Sequence, residues 1–214
     1  MINTKLILLE GLAGSGKTTM SKKLFDRINV KNKYLVQESS DPHPIAEHGI
    51  HEDIDIWQVK TLRNWENLFA EIDSDQKLYI MEAAWFQNTL GLMLLNNCYR
   101  NRIVEFCRKI EKTIKDISPI LILYTANNAE TFLRETYRVR GDGWPEKMDS
   151  LIEKWPYGQT RNLTGFDGFV DFYNEYVSIT NAIYDELEID SISIDVTKRE
   201  WPKVEKLTYE FLQI

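Results

Sequence analysis

A glycine-rich turn near the start of the chain lies between a strand-like run and a helical pattern. Residues 4–9 form a short, mainly apolar run of the kind that becomes a buried parallel strand. Apolar side chains then recur every four residues from Met20 to Ile28, which is helical spacing. The turn between them matches G-x-x-x-x-G-K-[ST] from Gly11 to Thr18. This combination constrains the fold more than any other feature, because the turn leaves a set of backbone N–H groups free for an anion.

The turn predicts a cradle for the phosphates of a nucleoside triphosphate. Its glycines let successive N–H groups point inward, and the following helix adds the positive end of its dipole. We expect Lys17 to reach the β- and γ-phosphates and the hydroxyl of Thr18 to ligate Mg²⁺. The predicted cofactors are ATP and Mg²⁺, although GTP fits the same loop. The predicted contacts are Gly11, Ala13, Gly14, Ser15, Gly16, Lys17, Thr18 and Thr19.

Composition limits the class of protein. The chain has 214 residues and a formal net charge of −7 at pH 7, which argues against a general nucleic-acid binder. Cys98 and Cys107 lie in apolar helical patterns, as is typical of buried thiols in a reducing compartment. Residues 1–9 read as a strand instead of a signal sequence, and no apolar run is long enough for a membrane. We expect a single cytoplasmic domain over residues 1–214, either monomeric or a homodimer.

Strand and helix patterns alternate along the rest of the chain. Parallel strands need long crossovers, so this alternation predicts an α/β three-layer sandwich, with a five-stranded parallel sheet between helices. A helical lid is predicted over about residues 134–160. The predicted strands are 4–9, 33–37, 77–81, 119–124 and 191–196. The predicted helices include 54–72, 85–95, 103–117, 128–139 and 166–187, and Pro202 opens the last one.

Two acids follow predicted strands at the edge where such sheets bind ligands. Ligands lie beyond the carboxyl ends of parallel strands, so polar residues there are candidates. The second strand ends at Glu38 and the third at Glu82. Either acid could be the catalytic base, and Glu82 is also predicted to hold Mg²⁺, directly or through water. The alternative for both is a helix-capping or solvated acid.

Arginines follow the fourth predicted strand. Arg134 and Arg138 are four residues apart and share one helical face, and Arg140 precedes a loop with two glycines. Such a segment is typical of a lid that brings positive charge to phosphates and excludes water. The three arginines are therefore predicted to be catalytic. Their alternative role is to complement the end of the helix dipole.

The segment after Glu82 predicts an acceptor pocket. Trp85 and Phe86 could stack on a flat ring, and Gln87 or Asn88 could read its edge by paired hydrogen bonds. Arg63 could meet a phosphate of the acceptor. The alternatives are helix-packing roles for the two aromatic residues and an exposed helix position for the arginine.

The order of these elements resembles the nucleoside and nucleoside-monophosphate kinases, with thymidylate and deoxynucleoside kinases as the nearest groups. The resemblance covers nearly the whole chain in architecture, but only the phosphate loop is a specific motif. It implies that Glu38 is the base or holds a sugar. One departure concerns the arginine that usually follows the acid of the third strand, because here Ala83 and Ala84 follow Glu82. The stretch EAAWFQN is also similar to an uncharacterised bacterial group of P-loop proteins.

These observations favour an ATP-dependent small-molecule kinase. The expected acceptor is a nucleoside or nucleoside monophosphate, and an antibiotic or another hydroxyl-bearing metabolite is the alternative. A nucleotide-dependent ATPase or switch protein is the alternative class. The sequence contains no guanine-reading N-K-x-D element, which argues against a GTP-driven switch.

Overall fold

A parallel sheet forms the centre of the fold. The computed structural model describes residues 4–47, 49–74, 77–141 and 143–214. In these residues the strands are β1 (Leu6–Gly11), β2 (Lys33–Val36), β3 (Leu78–Glu82), β4 (Ile120–Thr125) and β5 (Asp190–Asp195). All paired strands run parallel, in the order β2-β3-β1-β4-β5. The predicted α/β class with a five-stranded parallel sheet is therefore confirmed.

Helices connect the strands and pack around the sheet. They are α1 (Lys17–Arg27), α2 (Ile54–Ser74), α3 (Leu92–Leu95), α4 (Arg100–Ile114), α5 (Ala129–Arg140), α6 (Trp144–Lys154), α7 (Pro156–Arg161), α8 (Gly165–Tyr184) and α9 (Trp201–Leu212). A short 3-10 helix covers Lys115–Ile117. Helix α1 packs against β2 and β3, α9 packs against β5, and α6 lies on α8. Within the described ranges, no helix is both long and apolar enough to cross a membrane.

The central strands are buried on both faces. Every residue of β1 and β3 is buried, which explains their nearly continuous apolar sequences. Leu9 of β1 is in register with Glu82 of β3, and Val36 of β2 is in register with Met81. Because β2 and β3 are neighbours, the loops that follow them open at the same edge of the sheet. The register thus brings Glu38 and Glu82 together.

The helix predicted over residues 85–95 is different in the structure. A π-helical turn covers Phe86–Gly91, and α3 follows it. The wider turn is held by bonds to the fifth preceding residue, from Asn88 N to the Ala83 oxygen at 2.9 Å and from Leu90 N to the Trp85 oxygen at 3.2 Å. Apolar spacing alone does not separate a π-helical turn from an α-helix, so the sequence did not indicate it. Such turns are frequent at functional sites.

Candidate functional site

A cavity of about 990 Å³ lies at the carboxyl edge of the sheet. The phosphate loop, the loop after β2, the segment after β3 and helices α5, α6 and α8 all contribute to its walls. Its position follows the rule that ligands bind beyond the carboxyl ends of parallel strands. Among the residues predicted from the sequence, it brings together Ala13, Gly14, Ser15, Gly16, Lys17, Thr18, Thr19, Glu38, Glu82, Gln87 and Arg140.

The phosphate loop has the backbone that its glycines were predicted to permit. Gly14 and Gly16 have φ values of 78° and 85°, in the left-handed region. A Cβ at Gly14 would lie 2.6 Å from the Cγ2 atom of Thr136. Gly11 does not line the cavity but begins the turn, and a Cβ there would lie 2.1 Å from the backbone oxygen of Tyr124. Close approach of backbone and neighbouring elements therefore requires glycine at both positions.

Lys17 occupies the centre of the loop. Its side chain is buried, and Nζ donates hydrogen bonds to the backbone oxygens of Gly11 at 3.0 Å and Leu12 at 2.9 Å. Burial lowers the pKa of Lys17, and the charges of Glu38, Glu10 and Glu82 oppose that shift. A buried ammonium group among carboxylates is suited to exchange its carbonyl partners for phosphate oxygens.

Glu82 projects from the end of β3 beside the first turn of α1. It is 1% exposed, and its Oε1 accepts long hydrogen bonds from the backbone N–H of Glu38 (3.4 Å) and from Nε2 of Gln37 (3.5 Å). Burial raises the pKa of Glu82, and the neighbouring hydroxyl of Thr18 and ammonium of Lys17 oppose this effect. The Oε2 atom is buried with no close hydrogen-bond partner among the described residues.

This arrangement fits a magnesium ion shared with phosphates. Mg²⁺ is usually held by one or two protein oxygen groups, with water and substrate phosphates completing its shell. The hydroxyl of Thr18 and the free carboxylate oxygen of Glu82 supply such groups next to the phosphate loop. In the described part of the chain, no group of three or more His, Cys, Asp or Glu side chains could hold a metal alone.

The structure brings one of the three predicted lid arginines to the cavity. Arg140 lines it and lies over the ring of Trp144, with 5.0 Å between guanidinium carbon and ring centroid. Arg134 and Arg138 instead make exposed ion pairs with Glu130 (2.9 Å) and Glu135 (2.6 Å) on α5. Arg134 and Arg138 are four residues apart and share one helical face, whereas Arg140, two positions later, lies on another face. The face that carries the pair is turned towards solvent.

The predicted stacking residues lie elsewhere. Trp85 and Phe86 are both fully buried and pack on each other, with ring centroids 5.0 Å apart. Neither lines the cavity, because the π-helical turn directs both rings into the core. Arg63 is exposed on α2 and also lies outside the cavity. The structure therefore assigns these three residues no contact with an acceptor, and it keeps Gln87 as a candidate.

Aromatic residues far along the chain line the cavity instead. We call this part the aromatic chamber and define it by the side chains of Trp144, Met148, Leu151, Phe169, Phe172, Tyr173 and Tyr176 from α6 and α8. Gln87 and Asn88 line the same cavity. Their Oε1 and Nδ2 atoms are buried and lack hydrogen-bond partners within the described residues. The sequence indicates the aromatic face of α8, but only the packing of α6 on α8 turns it into a wall of a cavity.

Sequence reasoning also missed three cations at the cavity. Lys23 of α1, Lys147 of α6 and Arg199 line it. Arg199 lies over the ring of Phe132 at 4.4 Å and donates hydrogen bonds to the backbone oxygen of Phe132 and the hydroxyl of Thr136. Burial lowers its pKa. Arg199 follows β5, so the strand-end rule that selected Glu38 would also have selected it.

The sequence analysis also missed Glu10, which lies inside β1. It is fully buried, and its carboxylate accepts hydrogen bonds from the backbone N–H groups of Trp85 at 2.6 Å and Gln87 at 3.2 Å. Burial raises its pKa from 4.5 to about 7, despite these bonds and the charge of Lys17. One acid in an otherwise apolar strand was the signal that could have revealed it.

Comparison with known proteins supports the fold. No protein-family model matches the chain, and no curated protein matches it. The YorR protein of Bacillus subtilis, solved in complex with phosphorylated GDP, is similar over 97% of this chain and 95% of its own, with a TM-score of 0.53 and 16% identity. Thymidylate kinase from Ehrlichia chaffeensis is similar over 97% of each chain, with a TM-score of 0.51 and 14% identity.

A third solved structure belongs to the same group of folds. Polyphosphate kinase 2 from Arthrobacter aurescens is similar over 97% of this chain and 67% of its own, with a TM-score of 0.52 and 10% identity. At these identities the likeness concerns the fold. The chain therefore has the fold of the P-loop nucleotide kinases, as its sequence predicted.

Proposed function

We propose that this protein is a kinase that transfers the γ-phosphoryl group of Mg²⁺–ATP to a nucleoside or nucleoside monophosphate. One observation carries the proposal. The phosphate loop and the aromatic chamber are walls of the same cavity, and Glu38 and Glu82 line it as well. A donor phosphate and the hydroxyl of a ring-bearing acceptor could therefore meet inside one cavity, which is what phosphoryl transfer requires.

The residues suggest a division of labour. Lys17 and the backbone N–H groups of the loop would hold the triphosphate, and Thr18 with Glu82 would hold its Mg²⁺. In the transfer, the bond between the γ-phosphorus and the bridging oxygen breaks, and a bond to the acceptor oxygen forms. The proton of the acceptor hydroxyl would pass to Glu38, which lines the cavity and is exposed. Arg140 would place positive charge near the transferred group.

The aromatic chamber favours an acceptor with a flat ring. Aromatic faces stack on nucleobases, and side-chain amides can both donate to and accept from a base edge. The free amide atoms of Gln87 and Asn88 supply such groups beside the chamber. Two structural neighbours also support a nucleotide ligand, since one is named a thymidylate kinase and the other was solved with phosphorylated GDP.

The test is a measurement of ADP release from Mg²⁺–ATP with a panel of potential acceptors. The panel contains nucleosides, nucleoside monophosphates and aminoglycosides, and Lys17→Ala provides the blank. We expect a nucleoside or nucleoside monophosphate to raise the rate well above the rate without acceptor. A rise with an aminoglycoside alone would contradict the proposed acceptor, and a uniformly low rate that a protein partner stimulates would favour a switch ATPase.

A further inference from the structure

Glu10 lies at the junction between the phosphate loop and the segment that follows β3. It is the residue before Gly11, where the turn of the phosphate loop begins. Its two carboxylate oxygens accept hydrogen bonds from residues about 75 positions later in the chain, Oε1 from the N–H of Trp85 and Oε2 from that of Gln87. A single buried side chain therefore joins two walls of the cavity.

The two N–H groups belong to the start of the π-helical turn. N–H groups at the start of a helix have no partner within it, and burying them unpaired is unfavourable. Glu10 supplies the acceptors that the turn itself lacks. Farther along, the turn is held by its own bonds, including Thr89 Oγ1 to the Ala84 oxygen at 3.1 Å. The backbone of Gln87 therefore depends on Glu10, and its side chain lines the cavity with a free Oε1 atom.

The ionised form of Glu10 suits this role better than the neutral form. A carboxylate accepts two N–H bonds readily, whereas a carboxylic acid has one oxygen committed as a donor. The titratable groups that face Glu10 are Lys17 from α1, Tyr176 from α8 and Cys107 from α4. Burial raises the pKa of Glu10 to about 7, so its charge changes near neutral pH.

We propose that Glu10 is a positioning residue that sets the amide of Gln87 against the acceptor through the backbone of the π-helical turn. This inference rests on the proposed kinase function. It assigns a functional use to a buried acid that does not itself line the cavity. It also gives a purpose to the hydrogen bonds that connect the segment after β3, on the acceptor side of the cavity, to β1, the strand before the phosphate loop.

The test compares the wild type with Glu10→Gln. Glutamine has the same shape but only one accepting oxygen, so one of the two N–H bonds is lost. With the best acceptor from the nucleoside and nucleoside-monophosphate panel, we expect KM for that acceptor to rise about tenfold, while kcat changes less than about threefold. The dissociation constant for Mg²⁺–ATP should change by less than this, because Glu10 acts on Lys17 through its charge alone. In the wild type, KM for the acceptor should rise as the pH falls below about 7, and this dependence should vanish in the variant.

Glu111→Gln is the matched control. Glu111 is also a buried glutamate that accepts a backbone N–H, from Glu188 at 2.7 Å, but it lies outside the cavity. Its KM for the acceptor should equal that of the wild type. A second readout follows the amide proton resonances of Trp85 and Gln87 by NMR during a pH titration of the wild type. Both should shift together near pH 7.

The outcomes separate this inference from the proposed function. An active wild type whose acceptor KM is unchanged by Glu10→Gln, or is changed equally by Glu111→Gln, would overturn the positioning role alone. Amide resonances of Trp85 and Gln87 that titrate with different midpoints would overturn it too, even if the variant does not fold, because both N–H groups donate to the same carboxylate. A wild type that transfers phosphate to no compound of the panel would overturn both the kinase function and the inference.

Discussion

Replacing Glu10 by glutamine should change the pH dependence of the stability of the protein. Burial raises the pKa of Glu10 from 4.5 to about 7. Between these values the folded chain keeps a proton that the unfolded chain has released, so stability falls as the pH rises. Below about pH 4.5 both states are protonated, and above about pH 7 both are ionised, so the contribution is constant outside this range.

The magnitude follows from the distance between the two pKa values. At about 1.36 kcal/mol per pH unit, the interval from 4.5 to about 7 corresponds to roughly 3 kcal/mol. Domains are typically stable by about 5–15 kcal/mol, so this is a measurable fraction of the total. Glutamine cannot ionise, so the free energy of unfolding of the variant does not fall in this way as the pH rises. Relative to the wild type, Glu10→Gln should therefore gain on the order of 3 kcal/mol between acidic and mildly basic pH.

The assay is urea unfolding of both proteins from about pH 5 to about pH 8, with tryptophan fluorescence as the signal. The quantity of interest is the difference between the two free energies of unfolding at each pH. Glu205→Gln serves as a control, because the hydrogen bond from Lys23 lowers the pKa of Glu205. Its contribution is lost only at pH values below the range of the assay. Parallel curves for the wild type and Glu10→Gln would refute the reasoning.

Three other substitutions test the site, and Arg138→Ala serves as a control. Gly14→Ala places a Cβ on a residue with a φ of 78°, at 2.6 Å from the side chain of Thr136. We therefore expect Mg²⁺–ATP binding, measured by calorimetry, to weaken at least about tenfold. Unchanged affinity would contradict the loop geometry. Arg140→Ala should lower kcat/KM at least about tenfold in the ADP-release assay, because this arginine lines the cavity, whereas Arg138→Ala should have little effect. Equal effects of the two would show that the lid is arranged differently. Glu82→Gln should raise the Mg²⁺ concentration needed for half-maximal activity about tenfold, and an unchanged requirement would remove Glu82 from the metal site.

The sequence was sufficient where the information is local. The phosphate loop depends on φ angles and N–H directions within eight consecutive residues, so its spacing alone predicted the turn that the structure contains. Nearly continuous apolar runs predicted the buried strands, because a run of this kind is also a property of consecutive residues. Glu38 and Glu82 were found by a general property of parallel sheets, whose strand ends open at one edge.

Tertiary structure decided every feature that depends on which surface faces the cavity. Arg134, Arg138 and Arg140 looked alike in sequence, and the packing of α5 brought only the last to the cavity. Trp85 and Phe86 looked suitable for stacking, but a π-helical turn buried both in the core. The chamber that replaces them is built by α6 and α8, more than fifty residues later.

Glu10 shows the limit of sequence reasoning most directly. Within β1 it is one acid in an apolar run, and nothing near it in sequence explains its charge. Its partners, the N–H groups of Trp85 and Gln87, are about 75 residues away and reach it only because β1 and β3 are neighbours in the sheet. Local backbone preferences are encoded by consecutive residues. The pairing of buried polar groups depends on distances that exist only after the strands have assembled, and this is why the structure was needed to identify Glu10.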